Sequence, residues 1–163
     1  MIATLLHCCI AALESVGRDM TETQLKDWTQ NLLVRVVKLT ETFPNSRQAG
    51  VFVTQLVRCA GSVGANYRSA CRGRSDADML SKLGIVEEEA DECKFWLEAA
   101  SKCGFAEEES IKAIHGEYDQ IVAIVVASRR TLRSRLRGAG NTIRETRSPY
   151  AFRLPDVDEV DPQ

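Results

Sequence analysis

Between Pro44 and Pro149 the chain carries no proline, and through that stretch apolar residues recur at three- and four-residue intervals. Proline removes a backbone donor and clashes with the preceding turn, so its absence lets long helices run uninterrupted. The spacing lines the apolar residues along one face of each helix. Phe52, Leu56, Cys59, Val63, Asn66 and Ala70 mark one such stripe, over about residues 46–71. Leu83, Val86, Ala90, Cys93, Leu97 and Ala100 mark the next, over about 76–102. Ile111, Ile114, Tyr118, Ile121, Val125 and Leu132 mark a third, over about 107–136. Ahead of Pro44, Leu25, Trp28, Leu32, Val36, Leu39 and Phe43 repeat the pattern over about 22–42.

End signals agree with these four spans. Thr21 with Gln24 reads as a capping box, and Asn45 with Gln48 and Ser75 with Asp78 read as similar starts. Phe43-Pro44 ends the first helix, because the residue before proline disfavours helical geometry. Gly104 sits where a C-terminal cap belongs, and Gly138 and Gly140 close the last helix. Glu107, Glu108 and Glu109 suit the positive end of that helix's dipole. No alternating strand pattern competes. Short connections favour antiparallel neighbours, so the expected fold is all-α: an up-down antiparallel four-helix bundle over residues 21–138. Residues 1–20 read as an N-terminal extension, with Met20 a possible functional start, and 139–163 as a polar, disordered tail.

The opening MIATLLHCCIAAL has an apolar run too short to span a bilayer and lacks a basic flank, so no membrane association is expected. Six cysteines include no CxxC pair, and only two histidines accompany them, which argues against zinc. Cys59 and Cys93 fall on apolar stripes, where a thiol acts as a small hydrophobe; a reducing, cytoplasmic setting follows. His7 and His115 lack the glutamate three residues earlier that a carboxylate-bridged bundle metal needs. The dense Glu88, Glu89, Asp91 and Glu92 span more than one helix face and read as a solvated acidic surface. No phosphate-binding glycine loop follows a strand. The expectation is a protein without enzymatic activity, cofactor or metal.

Two features exceed what a monomeric bundle needs. Leu32, Leu33, Val34, Val36 and Val37 surround much of the first helix, and Ile121 to Ala127 is apolar throughout. Phe95 lies opposite the stripe of Cys93 and Leu97, with Trp96 at its edge. Helices apolar all round call for a second burial surface, so self-association is expected through Val34, Phe95, Trp96 and Ile124. Asn66, on its stripe, is expected to be a buried structural amide.

Net charge is only −2, but its distribution is uneven. Asp76–Asp119 holds 13 acids against 4 lysines, whereas Arg129–Arg147 holds 7 arginines against one acid. Arg68 and Arg72 are one turn apart, with Arg74 following; Arg129, Arg133 and Arg137 form a stripe with Arg130 beside it. Cations at a helix C-terminus complement its dipole, which accounts for one or two of these. The surplus points to phosphate contact with RNA or DNA, without the aromatic interleaving of a base-stacking platform.

The run from Gln55 to Glu98 resembles the four helix bundle protein family, also called 23S rRNA-intervening sequence proteins. The matching elements are Ser62, Ala65, Asn66 and Tyr67; Arg72, Arg74 and Ser75; and Glu89 to Glu92 with Trp96 and Leu97. Weaker similarity extends over roughly Leu25 to Leu136. Ser69 departs from the glutamate usual after the Asn-Tyr-Arg stretch. The resemblance implies an up-down bundle assembling into a ring, typically a homopentamer. Related accessory proteins of diversity-generating retroelements are basic pentamers that bind reverse transcriptase and nucleic acid. The expected function is therefore a non-enzymatic oligomeric scaffold binding RNA or an RNA-associated protein. The alternative is an oligomer that binds only proteins.

Overall fold

The computed structural model describes residues 20–138; the N-terminal extension before Met20 and the tail from residue 139 lie outside the described residues. Four helices follow in order: α1 (Glu22–Thr40), α2 (Arg47–Cys71), α3 (Asp76–Lys102) and α4 (Glu108–Gly138). There is no strand among the described residues.

The first three helices start where their first backbone donors find a side-chain acceptor. Thr21 and Gln24 form a reciprocal capping box at α1. Ser46, rather than Asn45, caps α2: its hydroxyl accepts from the Ala49 amide at 3.1 Å. Ser75 caps α3 by accepting from the Asp78 amide, and the Asp78 carboxylate accepts in turn from the Arg74 amide at 3.0 Å. After α3 the chain reverses at Gly104, whose φ of 66° lies in the left-handed region that glycine adopts without strain. Gly73 makes the α2–α3 turn: a Cβ there would stand 3.0 Å from the Ala70 carbonyl oxygen and 3.1 Å from the Met79 amide nitrogen.

Contacts between neighbouring helices step in opposite directions, which makes the bundle antiparallel. Along α3 and α4 the pairs are Glu87–Arg129, Lys94–Asp119 and Glu98–His115. Along α2 and α3 they are Phe52–Trp96, Cys59–Cys93 and Arg58–Glu89. Helices pack in chain order, with α1 leaning only lightly on α4.

Every stripe residue expected on α3 and α4 is buried, as are Leu56, Cys59, Val63 and Ala70 on α2. Each such leucine or isoleucine stabilises the fold by about 1.5–3 kcal/mol relative to exposure. Asn66 has the intramolecular hydrogen bonds of a structural amide but is less buried than expected. It is half-buried, and its amide donates to the Ser62 carbonyl and hydroxyl, both at 3.0 Å, within its own helix. Its neighbour Tyr67 takes the core position, 3% exposed. One residue is 100° of helix, enough to move a side chain from the core to its margin. A Cβ at Gly64 would meet Thr29 of α1 at 3.5 Å, an ordinary contact, and one at Gly61 would meet nothing within 4 Å, so neither position demands glycine for packing.

Candidate nucleic-acid interface

In an antiparallel bundle the C-termini of α2 and α4 share one end, and the two arginine groups are carried there together. The N-terminal half of α3 bridges them: Met79 meets the α2–α3 turn at Gly73, and Glu87 pairs with Arg129 of α4. The opposite end holds the α1–α2 and α3–α4 connections and most of the aromatic side chains.

The seven arginines do not behave alike. Arg72, Arg74, Arg130, Arg133 and Arg137 are exposed and make no ion pair among the described residues, and the same is true of Arg135. Arg130, Arg133 and Arg137 lie on one face of α4 at three- and four-residue spacing. Arg68 is half-buried and donates to the Gln30 side chain of α1 at 2.5 Å.

Arg129 stands apart from the other arginines of α4. Its guanidinium crosses α3 and pairs with Glu87, both side chains mostly covered. Gly84 opens the path: a Cβ there would stand 3.3 Å from Nη2. Arg129 thus serves the α3–α4 contact.

The acidic residues of α3 are partly spoken for as well. Arg58 of α2 pairs with Glu89 and Glu92, and the Trp96 indole donates to Glu92 at 3.2 Å. The Arg58 hydrogen bond holds the Glu92 carboxyl below its ordinary range, and that bond also raises Arg58. Thus two of the four clustered carboxylates tie α3 to α2, while Glu88 and Asp91 remain exposed. On the other side, Lys94 bonds Asp119 at 2.8 Å, raising the lysine and lowering the aspartate. His115 sits between Glu98 at 3.0 Å and Asp119 at 3.2 Å. The Glu117 carboxylate of α4 accepts from the Trp28 indole at 2.6 Å and pairs with Arg35, joining α1 to α4.

The expected association residues separate into two kinds. Phe95 is 60% exposed and Val34 46% exposed; Val37, Val51 and Val126 also face outward. Trp96 is partly buried, edge-on to both Phe95 and Phe52. Phe52 in turn meets Phe105, and Phe105 meets Phe43, so ring contacts run from the core to the surface. Ile124 is a correction: at 5% exposure it belongs to the bundle core and is closed to a second copy. Sequence reasoning missed Val51, whose outward position follows from its being next to Phe52 on the rim of the α2 stripe.

No group of three or more histidine, cysteine, aspartate or glutamate residues among the described residues is arranged to hold a metal. No helix among them is long and apolar enough to cross a membrane. Cys59 and Cys93 are free thiols, fully buried and touching across α2 and α3. Burial pushes the Cys93 thiol and the Tyr118 hydroxyl beside it well above their ordinary values. Neither group is poised for acid–base or nucleophilic work. A groove at the aromatic end is lined by Leu39, Thr42, Gly104, Ala106, Glu107 and Ser110, with Glu107 the one ionisable side chain among these.

Comparison with known proteins agrees with this architecture. The crystal structure of a protein of unknown function from the S23 ribosomal protein family of Bacteroides thetaiotaomicron is similar, with a TM-score of 0.63 and 29% identity. The similarity covers 68% of this chain and 99% of that one. No curated protein matches the sequence. The sequence model of the 23S rRNA-intervening sequence protein family matches residues 22–127, nearly the whole bundle, and the chain belongs to that family.

Proposed function

We propose that this protein is a non-enzymatic, self-associating scaffold of a reducing cytoplasm whose basic end contacts the phosphates of a nucleic acid, RNA foremost. The observation that carries the reading is the gathering of Arg72, Arg74, Arg130, Arg133 and Arg137 at one end of the bundle, exposed and without ion pairs among the described residues. Unpaired surface arginines give phosphates charge-assisted, geometrically matched donors. Such contacts fix position without reading bases, so sequence preference is low. Self-association, supported by exposed Phe95 and Val34, multiplies a weak patch and raises avidity without new contacts. A ring of five, as the family resemblance implies, is the assembly proposed.

Fluorescence anisotropy with a labelled single-stranded RNA tests this at two salt concentrations. Binding at low salt should fall steeply as salt rises, because each phosphate contact releases a counterion. A variant with glutamine at Arg130, Arg133 and Arg137 should lose most of that affinity and flatten the salt slope. Arg129 is left in place because it holds α3 to α4. Absence of binding at low salt, or equal binding by the variant, would overturn the reading.

A second reading is a purely protein-binding scaffold. The exposed aromatic ridge of Phe95 and Trp96 and the small net charge of −2 favour it. Its partner would be an RNA-associated protein, of which a reverse transcriptase is one kind. Loss of that partner on Phe95→Glu, with RNA affinity absent throughout, is the result that selects it.

A further inference from the structure

The arginines of the α4 terminus lack ion-pair partners among the described residues, and the same chain carries a matching set of acids further on. Asp156, Asp158, Glu159 and Asp161 lie within six residues, with no basic residue among them and Arg153 three residues before the first. They equal in number Arg130, Arg133, Arg135 and Arg137, all exposed. We propose that the segment Asp156–Asp161 occupies the basic end of its own bundle and competes there with polyanions. This rests on the reading of that end as an anion-binding surface.

Reach and concentration both permit the contact. The stretch between Gly138 and Asp156 spans up to roughly 60 Å when extended, at about 3.3–3.6 Å per residue. Helix α4, with 31 residues, is about 46 Å long. The segment therefore reaches any part of the basic end, including Arg72 and Arg74. A short tether holds its acids at an effective concentration on the order of millimolar, so pairs that are weak individually still compete. Within the bundle, Glu87 holds Arg129 and Asp78 accepts from the Arg74 amide, and no carboxylate among the described residues pairs with Arg130, Arg133, Arg135 or Arg137. Aspartate and glutamate side chains offer arginine the same paired-oxygen geometry as phosphate, which makes the segment a mimic of the ligand. Its hold weakens with salt, as for any exposed pairing.

The test uses the full chain. One variant carries Asp156→Asn, Asp158→Asn, Glu159→Gln and Asp161→Asn. A second neutralises four exposed, unpaired carboxylates elsewhere, with Glu41→Gln, Glu88→Gln, Glu107→Gln and Glu109→Gln, so that net charge changes equally. Arginine Nε–Hε NMR signals are compared without ligand at low and high salt. Neutralising the segment should shift the signals of Arg130, Arg133 and Arg137 at low salt, and the second variant should leave them in place. RNA affinity at low salt should then rise roughly 3- to 10-fold in the first variant beyond any rise in the second, as expected for removal of a tethered competitor. Unmoved arginine signals overturn the proposal whatever the RNA result, as do equal affinity gains in both variants. Shifted signals with no RNA binding by any form would leave the internal contact standing and remove the phosphate-binding reading instead.

Discussion

Arg129 and Glu87 close an ion pair between α4 and α3, reached through the notch left by Gly84. The residue next in sequence, Arg130, is exposed and unpaired among the described residues. The two should therefore respond oppositely to substitution. Arg129→Ala leaves Glu87 partly covered and without its partner, and should lower stability by about 1.5–3 kcal/mol, the range for a hydrogen bond to a charged group. Arg130→Ala should change stability by no more than about 0.5 kcal/mol, as for ordinary surface positions. Urea unfolding of the two variants measures both, with the midpoint shift as readout. Equal effects would contradict the distinction.

Such contrasts between neighbours are where the sequence was hardest to read. The stripes of α3 and α4 were legible because their apolar residues return every three or four positions against polar neighbours. Between Ile121 and Ala127 that contrast disappears, so nothing in the pattern says that Ile124 faces inward and Val126 outward. Arg129, Arg133 and Arg137 look like one stripe by spacing alone. Arg129, however, lies four residues after Val125 and three before Leu132, at the margin of the core face. With small Gly84 opposite, that margin admits a guanidinium. Asn66 and Tyr67 exchanged roles for a similar reason: either fits the α2 periodicity, and the larger side chain took the interior.

Phe95 and Ile124 provide a second test, since both entered as association residues and only Phe95 is exposed. Phe95→Glu should weaken assembly, seen by light scattering at micromolar concentration, while helical content and unfolding midpoint stay close to those of the parent chain. Ile124→Glu places a charge in the core and should cost several kcal/mol, appearing as loss of the folded state itself. An unchanged oligomer mass for Phe95→Glu, or a strictly monomeric parent, would remove the association surface from the argument.

Thiol reactivity reports the same core. Cys103 is exposed, whereas Cys59, Cys71 and Cys93 are buried. Burial raises the Cys71 thiol to about 11, so it carries little reactive thiolate at pH 8. Labelling followed by peptide mass spectrometry should mark Cys103 within minutes in native buffer. The three buried thiols should be marked at the rate of unfolding, and immediately in denaturant. Rapid native labelling of Cys59 or Cys93 would contradict their packing between α2 and α3.

Acid should loosen the contacts that join α3 to its neighbours. The Lys94 hydrogen bond holds the Asp119 carboxyl below its ordinary 3.8, and the Arg58 hydrogen bond holds the Glu92 carboxyl below its ordinary 4.5. A carboxyl depressed in the folded state binds fewer protons there than in the unfolded chain, so stability rises with pH while the group titrates. The contribution is therefore fully present above about pH 4.5 and is lost as pH falls through the depressed values. For Asp119, largely exposed, the contribution is about 0.5 kcal/mol once solvent screening is allowed for. Urea midpoints measured from pH 6 down to pH 3 should decline most steeply below pH 4.5. In Asp119→Asn and Glu92→Gln the decline should be shallower, with slightly lower stability at pH 6 and little difference from the parent at pH 3. Because Asp119 bridges Lys94 of α3 and His115 of α4, its variant should also lose protection of the α3–α4 contact in amide exchange, while Glu92→Gln loosens α2 against α3. Parallel pH profiles for all three proteins would show that these pairs contribute nothing to acid stability.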